Sequence, residues 1–307
     1  MNQPTWPVID ETAPVTPTDN SSPLEALAAG EIGAIICRDA FTQADCQSVV
    51  RQLVSEELLY DPEKPIPDKF RKIAVPENYY YRAGQDQTAF QDHMAAQSQD
   101  RMRIDVGTSL GTRASDPDAF FAHAAGTHDL FRSLYGDQGG PVATIYDQLS
   151  LLAGTKKVHT AHEADGRLYG PAIFRAHYGG FTYKPHYDSV RHREKRTDYA
   201  VYDFEHQFAG VLVLQNTEKD GQTAQSRLHR CFWNPEVDPH LNNDTFHEYA
   251  RDQGIASLDV ILNPGDLYFF NTGCIHEVPG IAGDSARIVL ATFIGYSSDR
   301  PDIYVWS

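Results

Sequence analysis

Beyond residue 172 the sequence breaks into eight short runs of strand character, at about 173–178, 183–188, 208–215, 226–233, 257–262, 266–270, 275–278 and 286–294, each bounded by turn residues. Eight strands at this spacing suit a mainly β fold with flanking helices, its core a jelly roll, or double-stranded β-helix, of two facing sheets.

The second run leaves a Gly179-Gly180 turn and ends on His186-Tyr187-Asp188. Alternate strand residues face one way, so His186 and Asp188 can enter one cavity as two legs of a metal site. The pair alone is weak evidence, because 13 histidines and 42 acidic residues placed at random in 307 positions give roughly two such pairs. The other, His192-Arg193-Glu194, lies in the charge run 191–196, which reads as a solvated loop. The first ends an apolar, aromatic strand, and a third ligand follows: Asn263 to Gly280 reads as turn, buried strand, tight loop and a short strand opening with His276. Further on, Arg287 enters an otherwise apolar strand, where burying a guanidinium without an anion is costly. Something negative should sit against it.

In these residues the sequence resembles the iron(II)- and 2-oxoglutarate-dependent oxygenases, over about residues 171–296. His186, Asp188 and His276 match that family's two-histidine, one-carboxylate metal triad, and Arg287 its grip on the distal carboxylate of 2-oxoglutarate. The segment from Tyr178-Gly179-Gly180 to Asp188 is most similar to the prolyl-hydroxylase-like and phytanoyl-hydroxylase-like branches. That likeness implies that Tyr178 hydrogen-bonds the same carboxylate. The implied cofactors are Fe(II), 2-oxoglutarate as cosubstrate and dioxygen. The implied reaction is hydroxylation of an unactivated C–H bond of a small molecule, an amino acid or natural-product intermediate, with decarboxylation of 2-oxoglutarate to succinate. Halogenating relatives have a small residue at the carboxylate position, so Asp188 points to hydroxylation; desaturation, epimerisation and cyclisation stay open. Arg175 and Arg191 flank the metal strands and are candidates for an anionic group of the substrate, and 198–208 for part of the pocket wall. The alternatives are a cupin-like metal enzyme that does not use 2-oxoglutarate, which leaves Arg287 without a purpose, and a non-catalytic binding jelly roll.

The chain is long enough for one catalytic domain, 22–307, with helical and loop support over 22–170 and the jelly-roll core over 171–296. A net charge of −16 opposes nucleic-acid backbones and anionic membranes as partners. No apolar run approaches a membrane span and no signal-peptide pattern opens the chain, so the expectation is a cytoplasmic protein. Cys37, Cys46, Cys231 and Cys274 lack paired spacing and are expected as free thiols; Cys274, two residues before His276, is not needed as a ligand.

Residues 1–21, rich in Pro, Thr, Asp and Asn, read as a mobile tail or an arm lying on the surface, which only Trp6 could anchor. Ser22-Pro23 opens a short helix ending at Gly30, then 32–37 reads as a strand. Thr42 to Asp45 starts a helix with Cys46, Val49, Val50, Leu53 and Val54 on one face. The polar, aromatic stretch 61–99 reads equally as a surface loop or an active-site lid. A half-buried strand at 101–107, helices at about 115–135 and 142–152, and a helical insertion at 244–253 complete the pattern. Seven other histidines, 159, 162, 177, 206, 229, 240 and 247, form no second triad with a matching arginine and are expected as surface or core hydrogen-bonders.

If Arg287 grips a carboxylate through two charge-assisted bonds, each contributing roughly 1.5–3 kcal/mol, Arg287→Lys keeps the charge but loses the geometry. The expected result is weakened 2-oxoglutarate binding by titration; unchanged affinity would sink the assignment.

Overall fold

The computed structural model describes residues 6–17, 22–67, 70, 103–113, 116–136 and 139–307. The elements in order are β1 (Val8–Thr12), α1 (Pro23–Ala28), β2 (Ala34–Arg38), α2 (Gln43–Ser55), β3 (Arg103–Val106), α3 (Leu110–Arg113), α4 (Pro117–Tyr135) and α5 (Gly140–Leu152). Then follow β4 (Lys157–Thr160), β5 (Ile173–His177), β6 (Tyr183–His186), β7 (His206–Gln215), β8 (Glu218–Lys219), β9 (Gln222–Thr223) and β10 (Ser226–Phe232). The chain closes with α6 (Asp238–Asn242), α7 (Phe246–Asp252), β11 (Ser257–Val260), β12 (Leu267–Asn271), β13 (Cys274–Val278), β14 (Arg287–Tyr296) and β15 (Asp302–Trp306).

The eight expected core strands are all present and divide between two sheets. The larger runs β1-β2-β12-β7-β14-β15-β4, with β5 also on β14 and β3 on β5; the smaller runs β11-β10-β13-β6. Period-two alternation gives each central strand of the larger sheet two buried faces. Phe208, Leu212 and Leu214 of β7, Ile288, Leu290 and Ile294 of β14, and Phe174 and Ala176 of β5 pack with Cys46, Val49 and Leu53 of α2 and Ile145 and Leu149 of α5. The intervening residues, Ala209, Val211, Val213, Val289, Ala291 and Ile173, face the smaller sheet and meet Leu228, Tyr268 and Phe270. A cavity opens between the sheets on this inner side.

Local chemistry explains the helix starts. Ser22, Thr42 and Asp116 each accept a backbone N–H of the first turn, and Pro23 and Pro117 enter that turn where no N–H is needed. The β5–β6 turn needs glycine: Gly179 and Gly180 have φ of +60° and +76°, a region that side chains disfavour.

Two expectations change. Residues 6–17, placed in a mobile tail, instead enter the fold: β1 pairs in parallel with β2 from Val8↔Ala34 to Thr12↔Arg38. Trp6 is 5% exposed and its Nε1 donates to Gly30 O at 3.0 Å. Apolar burial and strand pairing outweigh a composition typical of tails. Strand β15, antiparallel to β14, and the edge strand β4, parallel to β15, extend the larger sheet beyond the expected set. Of the lid-or-loop stretch 61–99, only 61–67 and Phe70 lie within the described residues, so the choice between the two readings lies outside them. All four cysteines are free thiols. Among the described residues no helix is long and apolar enough to cross a membrane.

Truncating a buried tryptophan commonly costs about 3–5 kcal/mol. Trp6→Ala is therefore expected to lower the urea midpoint of unfolding with an unchanged m-value, whereas an unchanged midpoint would return residues 6–17 to the status of a loose tail.

Candidate active site

The site begins with strand register. In the antiparallel pair β6–β13, His276 lies directly opposite His186, and their ring centroids are 4.2 Å apart. Asp188, just past β6, is locked at its backbone: its N–H donates to Thr272 O at 2.9 Å, and Thr272 Oγ1 donates to Asp188 O at 2.9 Å. The loop between β12 and β13 thus fixes the carboxylate relative to His276. Asp188 Oδ2 lies 3.5 Å from His276 Nε2 and 3.8 Å from His186 Nε2. One donor atom from each of the three residues falls within 4.8 Å of the others.

The tautomers are set by backbone carbonyls, which can only accept. His186 Nδ1–H donates to Lys184 O at 2.7 Å and His276 Nδ1–H to Cys274 O at 2.9 Å. Both Nε2 lone pairs therefore face the cavity, the arrangement a metal requires. Burial, then the neighbouring His276, pushes the His186 pKa down to about 3, so its ring is neutral and able to coordinate. Burial alone would raise the Asp188 pKa, but the adjacent His276 and His186 and the Arg193 guanidinium prevail and hold it well below the usual carboxylate range. Two borderline nitrogens and one hard oxygen on one face suit iron(II). Cys274 stays out of the set; its thiol donates to Asn271 O, and burial pushes its pKa up.

Arg193 is the support that sequence reasoning missed. Its Nη1 donates to Asp188 Oδ1 and to Tyr187 O, both at 2.7 Å, leaving Oδ2 for a metal. The charge run 191–196 is thus no solvated loop. Val190–Glu194 forms one short π-helical turn, capped by Ser189, that brings Arg193 back onto the carboxylate. Glu194 is carried inward with it, and burial raises its pKa to about 7 despite the nearby Arg193. A basic residue five positions after a candidate ligand is the signal that was available.

At the other side of the cavity Arg287 is 5% exposed and lies opposite His177 in the β14–β5 pair. Among the described residues no carboxylate forms an ion pair with it, and its Nε lacks a hydrogen-bond partner. Burial pushes the guanidinium's pKa below its ordinary value. An uncompensated buried charge costs several kcal/mol, so an anion must be supplied from outside the described protein groups. The surrounding polar groups are Tyr268, whose hydroxyl lies 2.7 Å from Ser226 Oγ, together with Tyr183 and His177. Among the described residues both His177 ring nitrogens lack hydrogen-bond partners, and burial, then the Arg287 charge, drives its pKa well below the ordinary histidine value. Ile173, Phe270, Val278, Val289 and Phe293 complete an otherwise apolar wall.

The other expected site residues divide. Arg175 lines the cavity, two positions along β5 from His177, and its Nε is buried without a hydrogen-bond partner among the described residues. Arg191 is exposed and does not line it. Tyr178 is corrected: it shares its face of β5 with Phe174 and Ala176, stacks on Tyr60 at 4.0 Å and donates its hydroxyl to Tyr60 O at 2.9 Å. It points to the helical side, where Arg287 is not. Residues 198–208 do not form the wall either; Tyr199 and Val201 pack in a separate cluster with Phe120 and Trp306.

A jelly roll presenting two histidines, one carboxylate and an unpaired buried arginine to one cavity has the layout of a 2-oxoglutarate-type oxygenase. The family described as carrier-protein-independent halogenase WelO5 matches residues 14–307. The chain belongs to that family, within the iron(II)- and 2-oxoglutarate-dependent oxygenases, and is an enzyme of this class. No curated protein matches the sequence significantly. Similar solved structures include an N-substituted L-amino acid dioxygenase from Burkholderia ambifaria AMMD, 16% identical, covering 92% of this chain and 90% of that one, with a TM-score of 0.48. EctD from S. alaskensis with 2-oxoglutarate and 5-hydroxyectoine is 14% identical, with 97% and 86% covered and a TM-score of 0.42. A Pseudomonas putida prolyl-4-hydroxylase is 15% identical, with 87% and 94% covered and a TM-score of 0.36.

Outer-shell partners of a metal ligand typically tune affinity 10–100-fold. Arg193→Gln should weaken Fe(II) binding by about that factor in a competition with a chromophoric chelator; equal affinity would leave Arg193 as structural packing only. Glu194 gives a pH test. Its folded pKa is raised, so its favourable contribution is present at about pH 4.5 and below and is lost as pH rises through about 7. Chemical denaturation should show Glu194→Gln gaining stability relative to the parent between those limits, and a difference independent of pH would contradict it.

Proposed function

We propose that the enzyme hydroxylates an unactivated C–H bond of a small molecule, an amino acid or a natural-product intermediate, using iron(II), 2-oxoglutarate and dioxygen. The observation that carries this reading is the carboxylate of Asp188, whose Oδ2 faces both free imidazole nitrogens while Arg193 holds its other oxygen. The family description names a halogenase, yet here the third protein position is filled by a charged ligand rather than left to a halide. With Asp188 in place the product is expected to carry oxygen.

His186, Asp188 and His276 would hold the iron, and Arg287 the distal carboxylate of 2-oxoglutarate. When bound, the pair supplies dioxygen activation: one oxygen atom goes into succinate as carbon dioxide is lost, and the other serves C–H oxidation. The protein's part is placement. Tyr268 and Ser226 stand ready to add hydrogen bonds beside Arg287, and neutral His177 can donate or accept next to it. Phe270, Val278 and Val289 exclude water, strengthening the electrostatic hold on the anion. Arg175, charged and facing the same cavity, would receive an anionic group of the substrate.

The test is to incubate the reconstituted enzyme with 2-oxoglutarate, excess chloride and a panel of carboxylate-bearing small molecules, following succinate and product mass. The expected outcome is succinate matched by a product one oxygen atom heavier, with the match lost in Arg175→Ala as uncoupled decarboxylation rises. A chlorinated product would overturn the assignment of Asp188.

A further inference from the structure

Alternation on β13 sends His276 inward and Glu277 to the opposite face. Glu277 is 4% exposed there, and both its oxygens meet imidazoles: Oε1 lies 3.0 Å from His229 Nε2 and Oε2 3.3 Å from His247 Nε2. His229 comes from β10 and His247 from α7, so three elements converge. Donor atoms of all three residues lie within 4.8 Å of one another, as those of the inner trio also do.

We infer that His229, His247 and Glu277 form a second metal site, on the outer face of the smaller sheet, for a divalent ion of zinc type. A buried carboxylate needs a compensating charge. The nearby arginine does not supply it fully: Arg227 Nη1 is 3.9 Å from Glu277 Oε1, while its Nε and Nη2 are bound to Asp259 at 2.6 and 3.3 Å. Two imidazoles with one carboxylate select zinc-like ions over calcium or magnesium, which favour all-oxygen shells. His229 is 4% exposed whereas the His247 side chain is 54% exposed, which gives the ion a path inward and leaves a fourth position to water. An ion here ties α7 to the strand that carries His276, so occupancy would stiffen the wall behind the inner site. The inference is independent of the reaction proposed above.

The experiment is equilibrium dialysis of the iron-free 307-residue chain against Zn(II), with metal analysis, because zinc also fits the inner trio. The wild type should retain about two equivalents and His247→Ala about one, and the zinc-induced rise in Tm should shrink with it. His247→Cys, which restores a zinc ligand at an exposed position, should recover the second equivalent. In His276→Ala one equivalent should remain and disappear when His247→Ala is added. A wild type that takes up one equivalent, or a His247→Ala protein that keeps two, overturns the site.

Discussion

The structure depends on one pairing, β6 against β13, which sets His276 opposite His186 and leaves Asp188 to be clamped by Thr272. A shift of one residue in either strand would turn a histidine to the outer face. The register is defended by what lies on that outer side, where Tyr187 and Ile275 pack with Val237, Leu241 and Phe246 of the inserted helical segment. The inner face can therefore hold three polar ligands because the outer face is apolar enough to fix the strands.

The second constraint is charge. Burying Arg287 among Val289, Phe270 and Tyr268 without an acidic partner among the described residues is unfavourable for the protein alone and favourable once an anion arrives. The inner trio has the converse arrangement, a carboxylate already balanced by Arg193 and poised beside two imidazoles whose Nε2 atoms face it. Together they describe a cavity with one end prepared for a cation and the other for an anion. A chelating dicarboxylate spans such a pair naturally.

Much of this was legible in the residues. His186, Asp188, His276 and Arg287 stand out because polar groups interrupt strand patterns that burial would otherwise keep apolar, and the structure brings all four to one cavity. Tyr178 misled because family likeness was weighed above parity: it shares alternation with Phe174 and Ala176, which face the helices. Arg193 and Glu194 were hidden in a charge run, since composition cannot distinguish a solvated loop from a turn that folds back on its own carboxylate. His229, His247 and Glu277 come from separate elements, so only tertiary structure could unite them. The N-terminal strand was missed because its polar, proline-rich composition conceals one anchoring tryptophan.

The most direct measurement is anaerobic visible absorption of the metal-free protein on adding iron(II) and then 2-oxoglutarate, with Arg287→Ala and His276→Ala alongside. A new charge-transfer band that requires both additions and fails in both variants is the predicted result. Iron binding with no band on adding 2-oxoglutarate would contradict the shared cavity for metal and cosubstrate, and no iron binding would remove the catalytic centre itself.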